Sequence, residues 1–243
     1  MKVTAIILVG GSSTRFGSDI PKQFYKVNGK PLLAYTLDCF ENNPEINDIV
    51  IVANPTYKDN LEELLNTYPY KKISHLVEGG KNRQESAFFG LLAIENETEK
   101  MDRVLIHDGV RPIVPPEIIH ELLLALNDHF GATVAIPSTD TMCLIDKNNE
   151  EVVGTLNREE VYAIQTPQAF VYQAILEANK LYQGKNVTDD TQLLSGVTPI
   201  KIVKGNKKLL KITTKEDILF LEVYLKEAQK WLNTKKEISL KEL

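Results

Sequence analysis

Six short runs rich in Val, Ile and Leu alternate along this chain with stretches of helical spacing, which confines it to very few architectures. The runs are Val3–Val9, Asp48–Ala53, Ile73–Val77, Arg103–His107, Ala132–Pro137 and Pro199–Val203. Helices are predicted between them at Lys58–Thr67, Arg83–Ile94 and Pro116–His129. Alternating strands and helices, with strands apolar on both faces, make a mostly parallel α/β sheet covered by helices. In such sheets ligands sit beyond the carboxyl ends of the strands, so the residues just after each strand are the site candidates.

A chain of 243 residues is long for one domain, yet α/β folds of this size commonly share one core. The expected organisation is a single domain over 1–232, with a β-arm at about 139–158 and a charged tail at 233–243. A net charge of −5 argues against wrapping nucleic acid, which needs a basic face. No run approaches the 18 or more apolar residues of a membrane span, and Val3–Val9 is too short for a signal peptide. Cys39 and Cys143 lack metal-ligand or C-x-x-C spacing, which implies reduced thiols in a cytoplasmic protein. The four histidines are scattered, so a zinc site is not expected.

Three strand ends carry chemistry. After Val3–Val9 come Gly10, Gly11, Ser12, Ser13 and Thr14, then Arg15 and, beyond Pro21, Lys22. Small residues let backbone N–H groups approach an anion, and the two cations add full charge, so the segment reads as a triphosphate cradle. It is neither G-x-G-x-x-G nor a Walker loop, which argues against hydride transfer and ATP-driven motors. Cations beyond the glycines suit nucleotidyl transfer, in which negative charge builds on departing pyrophosphate. The second loop, Glu78-Gly79-Gly80-Lys81-Asn82-Arg83, opens a helix with Asn82 as N-cap and Ser86 one turn inside, a place for a base or ribose. The third, His107-Asp108-Gly109-Val110-Arg111-Pro112, ends an apolar strand in an acid and a base. Asp108 suits a magnesium ion that takes one carboxylate plus phosphate oxygens, and an Asp108–Arg111 structural pair is the alternative.

From Thr139 to Glu160 the αβ rhythm breaks into a hairpin around Asp146–Glu151. Two strands alone are marginal, so the arm is expected to pack on the same arm of a second subunit and form a homodimer. Beyond it, Val161–Gln165 should resume the sheet, Thr166-Pro167-Gln168 should break it, and Thr188-Asp189-Asp190 should cap a short helix. Leu209–Ile212 reads as the last strand, presenting Lys211. A closing helix is expected from about Thr214 to Leu232, with Trp231 in its core-facing stripe.

Seven blocks together resemble the cytidylyltransferases of sugar-alcohol phosphates: GGSSTRFG with PKQ, EGG with NRQES, HDGVRP, DTM, LNREEVYAIQTPQAF, VTDD and LLKITTKEDI. The resemblance is strongest to the 2-C-methyl-D-erythritol 4-phosphate cytidylyltransferase family of non-mevalonate isoprenoid synthesis, with the ribitol-5-phosphate family as the near alternative. It runs from Val3 to about Leu221 and implies a Rossmann-like sheet with a protruding dimerisation arm, using CTP and Mg2+. By position, Arg15 and Lys22 match the pair that stabilises the pentacoordinate α-phosphate, and Asp108 the metal ligand. Gly80, Arg83 and Ser86 match the segment that reads cytosine and ribose. Arg158 and Lys211 match the cations that hold the acceptor's phosphate, and Arg111, Thr141 and Thr188 would line the acceptor pocket, part of it across the dimer. The chain departs from the family pattern at Ser13, Lys81 and Cys143, none of which removes a cation or carboxylate that the chemistry needs.

Overall fold

The computed structural model describes residues 1–11, 14–18, 20–182 and 187–227. Seven strands form the central sheet. In chain order they are β1 (Val3–Val9), β4 (Asp48–Ala53), β5 (Ile73–Glu78), β6 (Arg103–Asp108), β7 (Gly131–Pro137), β10 (Tyr162–Val171) and β11 (Ile200–Lys204). Across the sheet they lie in the order β11-β7-β10-β6-β1-β4-β5. β1 pairs parallel with both β4 and β6, β5 with β4, and β11 with β7. Only β10 runs against the rest, antiparallel to both β6 and β7.

Period-2 alternation in β1 explains the layering. Ala5, Ile7 and Val9 face a core that includes Leu33, Leu37 and Phe40 of α1 (Leu32–Glu41), Leu61 and Leu64 of α2 (Lys58–Thr67), and Ile119 and Leu122 of α4 (Pro116–Ala125). Ile6 and Leu8 face the opposite core, built with Ala87 and Leu91 of α3 (Arg83–Ala93) and Ile175 and Leu176 of α5 (Tyr172–Leu181). Two further helices complete the series: the single turn α6 (Thr191–Leu194) and a helix described over 216–227, here α7. Among the described residues no helix is long and apolar enough to cross a membrane.

A third, smaller cluster ties the N-terminal loop to the segment after β11, through the packing of Phe16, Val27, Leu32, Ile212, Ile218 and Leu221. The segment Leu209–Ile212 is not the expected strand. It meets the loop after β6 through single anchors, Ile212 N–H to the Val110 carbonyl (2.9 Å) and Leu209 C=O to the Arg111 guanidinium (2.7 Å), Leu209 N–H turns back to the Asn206 carbonyl (3.3 Å), and no ladder forms. Nor does Thr166-Pro167-Gln168 end a strand: β10 continues through it, and the register slips between Gln165 and Gln168, a bulge that absorbs a residue lacking N–H.

Two small features were not anticipated from sequence. Asn28 and Gly29, both at positive φ (50° and 80°), turn β2 (Lys26–Val27) into β3 (Lys30–Pro31), the use for which an Asn-Gly pair is suited. The helices α1 and α5 also went unread. The hairpin in the arm is present, β8 (Cys143–Asp146) antiparallel to β9 (Glu151–Thr155), as a separate two-stranded sheet. Residues Leu144, Ile145, Val152 and Val153 on it are all more than half exposed. Ser12, Ser13, Trp231 and the tail at 233–243 lie outside the described residues, as does the end expected for the closing helix.

Candidate active site

A cavity of about 310 Å3 opens beyond the carboxyl ends of β1, β5 and β6. Its wall joins Gly10, Gly11, Arg15, Lys22, Gly80, Arg83, Ser86, Asp108 and Lys211, which come from four separate stretches of the chain. Of the residues singled out from sequence, Arg111, Thr141, Arg158 and Thr188 do not line it. Thr14 begins a 3-10 turn, Thr14–Phe16, that carries Arg15.

Local packing places each cation. Arg15 precedes Phe16, and Lys211 precedes Ile212. Because Phe16 and Ile212 share the third cluster, both charges are delivered to the same rim. Lys22 starts the turn Lys22–Phe24, whose Phe24 is buried and meets Tyr57 edge-on at 5.8 Å. The Tyr57 hydroxyl donates to the Gly11 carbonyl at 3.0 Å, so one aromatic pair fixes both the lysine turn and the glycine loop. Burial pushes the Lys22 ammonium below its ordinary pKa, and repulsion from Lys211 and then Arg15 adds to the effect. Such crowding is relieved when a polyanion enters.

Asp108 is the electrostatic centre. Arg83 Nε lies 3.4 Å from its Oδ1, while Arg111 Nε (3.4 Å) and Lys211 Nζ (2.9 Å) approach Oδ2. Burial alone would push this carboxyl up, but Arg83, Lys211 and Arg111 outweigh it and hold the group ionised, far below the usual carboxylate range. Arg111 is itself buried and is committed to Asp108 and to the Leu209 carbonyl, which puts it behind the carboxylate. The Asp108 backbone is pinned as well. Its N–H donates to Thr166 Oγ1 (3.1 Å), and Thr166 meets His107 Nδ1 (3.1 Å), whose Nε2 lies 3.1 Å from the Arg111 carbonyl. Burial drives the fully enclosed His107 down to about 4, so it stays neutral, donating from Nε2 and accepting at Nδ1.

The second loop is held from inside its helix. Asn82 accepts from the Glu85 N–H (2.9 Å), the expected N-cap. Ser86 Oγ donates to the Asn82 carbonyl (2.9 Å) and accepts from the Gly80 N–H (3.0 Å), while a Glu85 carboxylate oxygen folds back onto the Lys81 N–H. Glu85 packs so closely over Gly80 that a Cβ there would sit 2.6 Å from Glu85 Cβ and overlap Cγ. Only a residue without a side chain fits.

Arg158 is exposed in the turn Arg158–Glu160 just past the arm, Thr141 is exposed before β8, and Thr188 is exposed before α6, where its hydroxyl accepts from Gln192 Nε2 at 3.3 Å. Sequence reading missed Asp190, which is fully buried and pairs with Arg83, and also His107 and Thr166 as supports of Asp108. Their partners lie 58 to 107 residues away along the chain, beyond what local spacing can signal.

A mostly parallel sheet with a glycine loop after its first strand, opening on a cavity ringed by cations around one ionised carboxylate, defines an α/β enzyme of the nucleotidyltransferase class. Residues 3–227 match the family described as IspD: 2-C-methyl-D-erythritol 4-phosphate cytidylyltransferase. The enzyme of that name from Lachnoclostridium phytofermentans is 36% identical over 236 residues, covering 95% of this chain and 99% of that protein. Among solved structures, 4-diphosphocytidyl-2C-methyl-D-erythritol synthase from Anaerococcus prevotii superimposes with a TM-score of 0.78 at 34% identity, covering 93% of this chain and 96% of the other. The Francisella tularensis 2-C-methyl-D-erythritol 4-phosphate cytidylyltransferase gives 0.76 at 31%, covering 91% and 98%. This chain belongs to the 2-C-methyl-D-erythritol 4-phosphate cytidylyltransferase family.

Proposed function

We propose that the cavity joins CTP to 2-C-methyl-D-erythritol 4-phosphate, releasing pyrophosphate and the CDP-alcohol, a step of non-mevalonate isoprenoid precursor synthesis in the cytoplasm. One observation carries the assignment of roles: Arg15, Lys22, Asp108 and Lys211 share a single cavity with the Gly10-Gly11 and Gly80–Ser86 loops. The names of the relatives favour this acceptor over ribitol 5-phosphate.

In this reading the loop from Gly10 to Thr14 and the side chains of Arg15 and Lys22 take the triphosphate, and the two cations stabilise the charge that grows on the α-phosphate and on departing pyrophosphate. Gly80, Arg83 and Ser86 bound the nucleoside side, with the tight Glu85–Gly80 contact fixing the shape of the backbone that the base meets. Lys211, drawn from Asp108, and Arg158, reaching in from beyond the arm, hold the acceptor's phosphate for in-line attack. Thr141 and Thr188 bound the acceptor, and Arg111 acts from behind Asp108. The acceptor phosphate is already an anion, so no general base is needed, and positioning with charge neutralisation carries the reaction.

Asp108 offers one ionised carboxylate at the cavity wall, and no cluster of three His, Cys, Asp or Glu residues occurs among the described residues. That donor set fits Mg2+, which takes one or two carboxylates and completes its shell with phosphate oxygens and water. When bound, the ion would neutralise triphosphate charge. Because Arg158 and Thr141 sit on or beside an arm whose Leu144, Ile145, Val152 and Val153 are exposed, a second copy of the chain packed on that arm is the proposed partner, forming a homodimer. One domain over 1–232 carries all of this, with the tail at 233–243 outside it.

Purified protein incubated with CTP, Mg2+ and either 2-C-methyl-D-erythritol 4-phosphate or ribitol 5-phosphate tests the proposal through pyrophosphate release. Turnover with the first is expected. Release only with ribitol 5-phosphate, or with neither, would overturn it.

A further inference from the structure

Asp190 is fully buried, yet the helix that it precedes does not use it. It occupies the N-cap of α6 without a side-chain capping bond, and the capping is done by its neighbour Asp189, whose Oδ1 accepts from the Thr191 N–H at 2.9 Å. The Asp190 carboxylate goes instead to Arg83, Oδ2 to Nη1 at 2.5 Å. Its other oxygen and Arg83 Nη2 find no hydrogen-bond partner among the described residues. A buried ion pair with unmet polar atoms is a poor device for stability, since desolvation takes back much of the attraction. Its value must lie in what it does to Arg83.

Arg83 bridges two carboxylates unequally, at 2.5 Å from Asp190 and 3.4 Å from Asp108. Free of Asp190, the guanidinium would close on Asp108 as a two-pronged pair, the geometry that Arg and carboxylate favour. We propose that Asp190 is a positioning residue that holds Arg83 back, keeping Asp108 charged while its Oδ1, 3.4 Å from Arg83 Nε, is not closed off by a two-pronged pair. The same bridge ties the segment carrying Thr188 to the first turn of α3, hence the acceptor side of the cavity to the nucleotide side.

The inference rests on the activity proposed above, and the two can fail separately: failure of the activity appears in the wild-type protein, failure of the inference only in variants. Asp190→Asn keeps the shape and removes the charge. Measured by CTP-dependent pyrophosphate release, kcat/KM should fall by roughly 10–100-fold, the scale for losing a group that orients a ligating residue. A purely structural role would lower the folded fraction, read by circular dichroism, and leave kcat and KM of the folded fraction unchanged. Arg83→Gln and the double variant Asp190→Asn/Arg83→Gln complete the cycle. If Asp190 acts through Arg83, the double variant matches Arg83→Gln within about twofold. Should Asp190→Asn be too unstable to assay, Asp190→Glu, which keeps the charge but displaces the carboxylate by one methylene, takes its place: a fall in kcat/KM at unchanged folded fraction is expected, and wild-type kcat/KM would overturn the inference. Wild-type kcat/KM in Asp190→Asn, or a double variant about tenfold or more below Arg83→Gln, would overturn the inference.

Discussion

Lys22 offers the sharpest test of the charge argument. Replacing it with Ala removes a buried ammonium from the cavity wall and leaves the turn that carries it anchored by Phe24 on Tyr57. A phosphate oxygen about 4 Å from that ammonium gains about 4 kcal/mol at an effective dielectric of about 20. Part of this is offset as the lysine loses its remaining water. Part is recovered, because the entering charge also relieves the repulsion among Lys22, Lys211 and Arg15. A net loss of about 2.7–4 kcal/mol on removal corresponds to a 10²–10³-fold drop, the range for deleting one transition-state donor. Steady-state pyrophosphate release should show kcat and kcat/KM for CTP falling together, because the interaction strengthens as the α-phosphate bond breaks. A rise in KM alone would mean that Lys22 only binds ground-state triphosphate. A loss below about tenfold would refute the role, since a single Coulomb contact at this depth cannot be worth so little.

Other outcomes follow from the same structure. Gly80→Ala drives a Cβ into Glu85 and should raise KM for CTP at least about tenfold, with about 1–3 kcal/mol lost in urea unfolding. Gly90→Ala, where the new Cβ would lie 2.6 Å from Ile6 Cγ2 and 2.9 Å from Val52 Cγ2, should cost about 1–2 kcal/mol. Overpacking of about 1–3 kcal/mol outweighs the helix propensity gained, up to about 1 kcal/mol, and CTP binding should stay unchanged. His107, held neutral down to about 4 against an unfolded value of 6.5, makes the unfolded chain the better proton binder between those values. The His107 contribution to stability should therefore fall by about 3 kcal/mol as pH drops from 6.5 to 4 and level off below, read as the difference from His107→Asn in urea titrations at several pH values, because Asp108 and other carboxylates go on lowering the total in acid. Val153→Asp places a charge on the exposed arm and should shift the sedimentation of the dimer proposed above towards monomer, and a wild-type protein that sediments as a monomer would contradict that dimer.

The mostly parallel sheet was legible because its central strands β1, β4 and β6 are apolar on both faces, and Asp48–Ala53 was read to the residue. α1 was not, because no capping side chain marks its start: Pro31 stands at the N-cap without a side-chain hydrogen bond, directly after the two-residue strand β3. Leu209–Ile212 looked like a strand for another reason: Leu209 belongs to one core cluster and Ile212 to another, and their apolarity serves burial without a ladder. Pro167 looked like a strand end because sequence cannot show that a bulge accommodates it. Within the site, the loops after β1, β5 and β6 declared themselves through residue types that packing does not require. What joins them did not. The Phe16–Ile212 cluster, the Tyr57–Gly11 bond and the Asp190–Arg83 pair are meetings of distant segments, each made of residues that are unremarkable alone.

At the heart of the proposed reaction is a direct displacement at the α-phosphorus by an acceptor phosphate held in the same cavity as the nucleotide. Stereochemistry probes it without intermediaries: CTP made chiral at the α-phosphorus with sulfur is turned over with 2-C-methyl-D-erythritol 4-phosphate, and the product configuration is read by phosphorus NMR. A single in-line attack inverts the centre, and inversion is the expected outcome. Retention would mean two displacements through a covalent enzyme intermediate, and would rule out the single step.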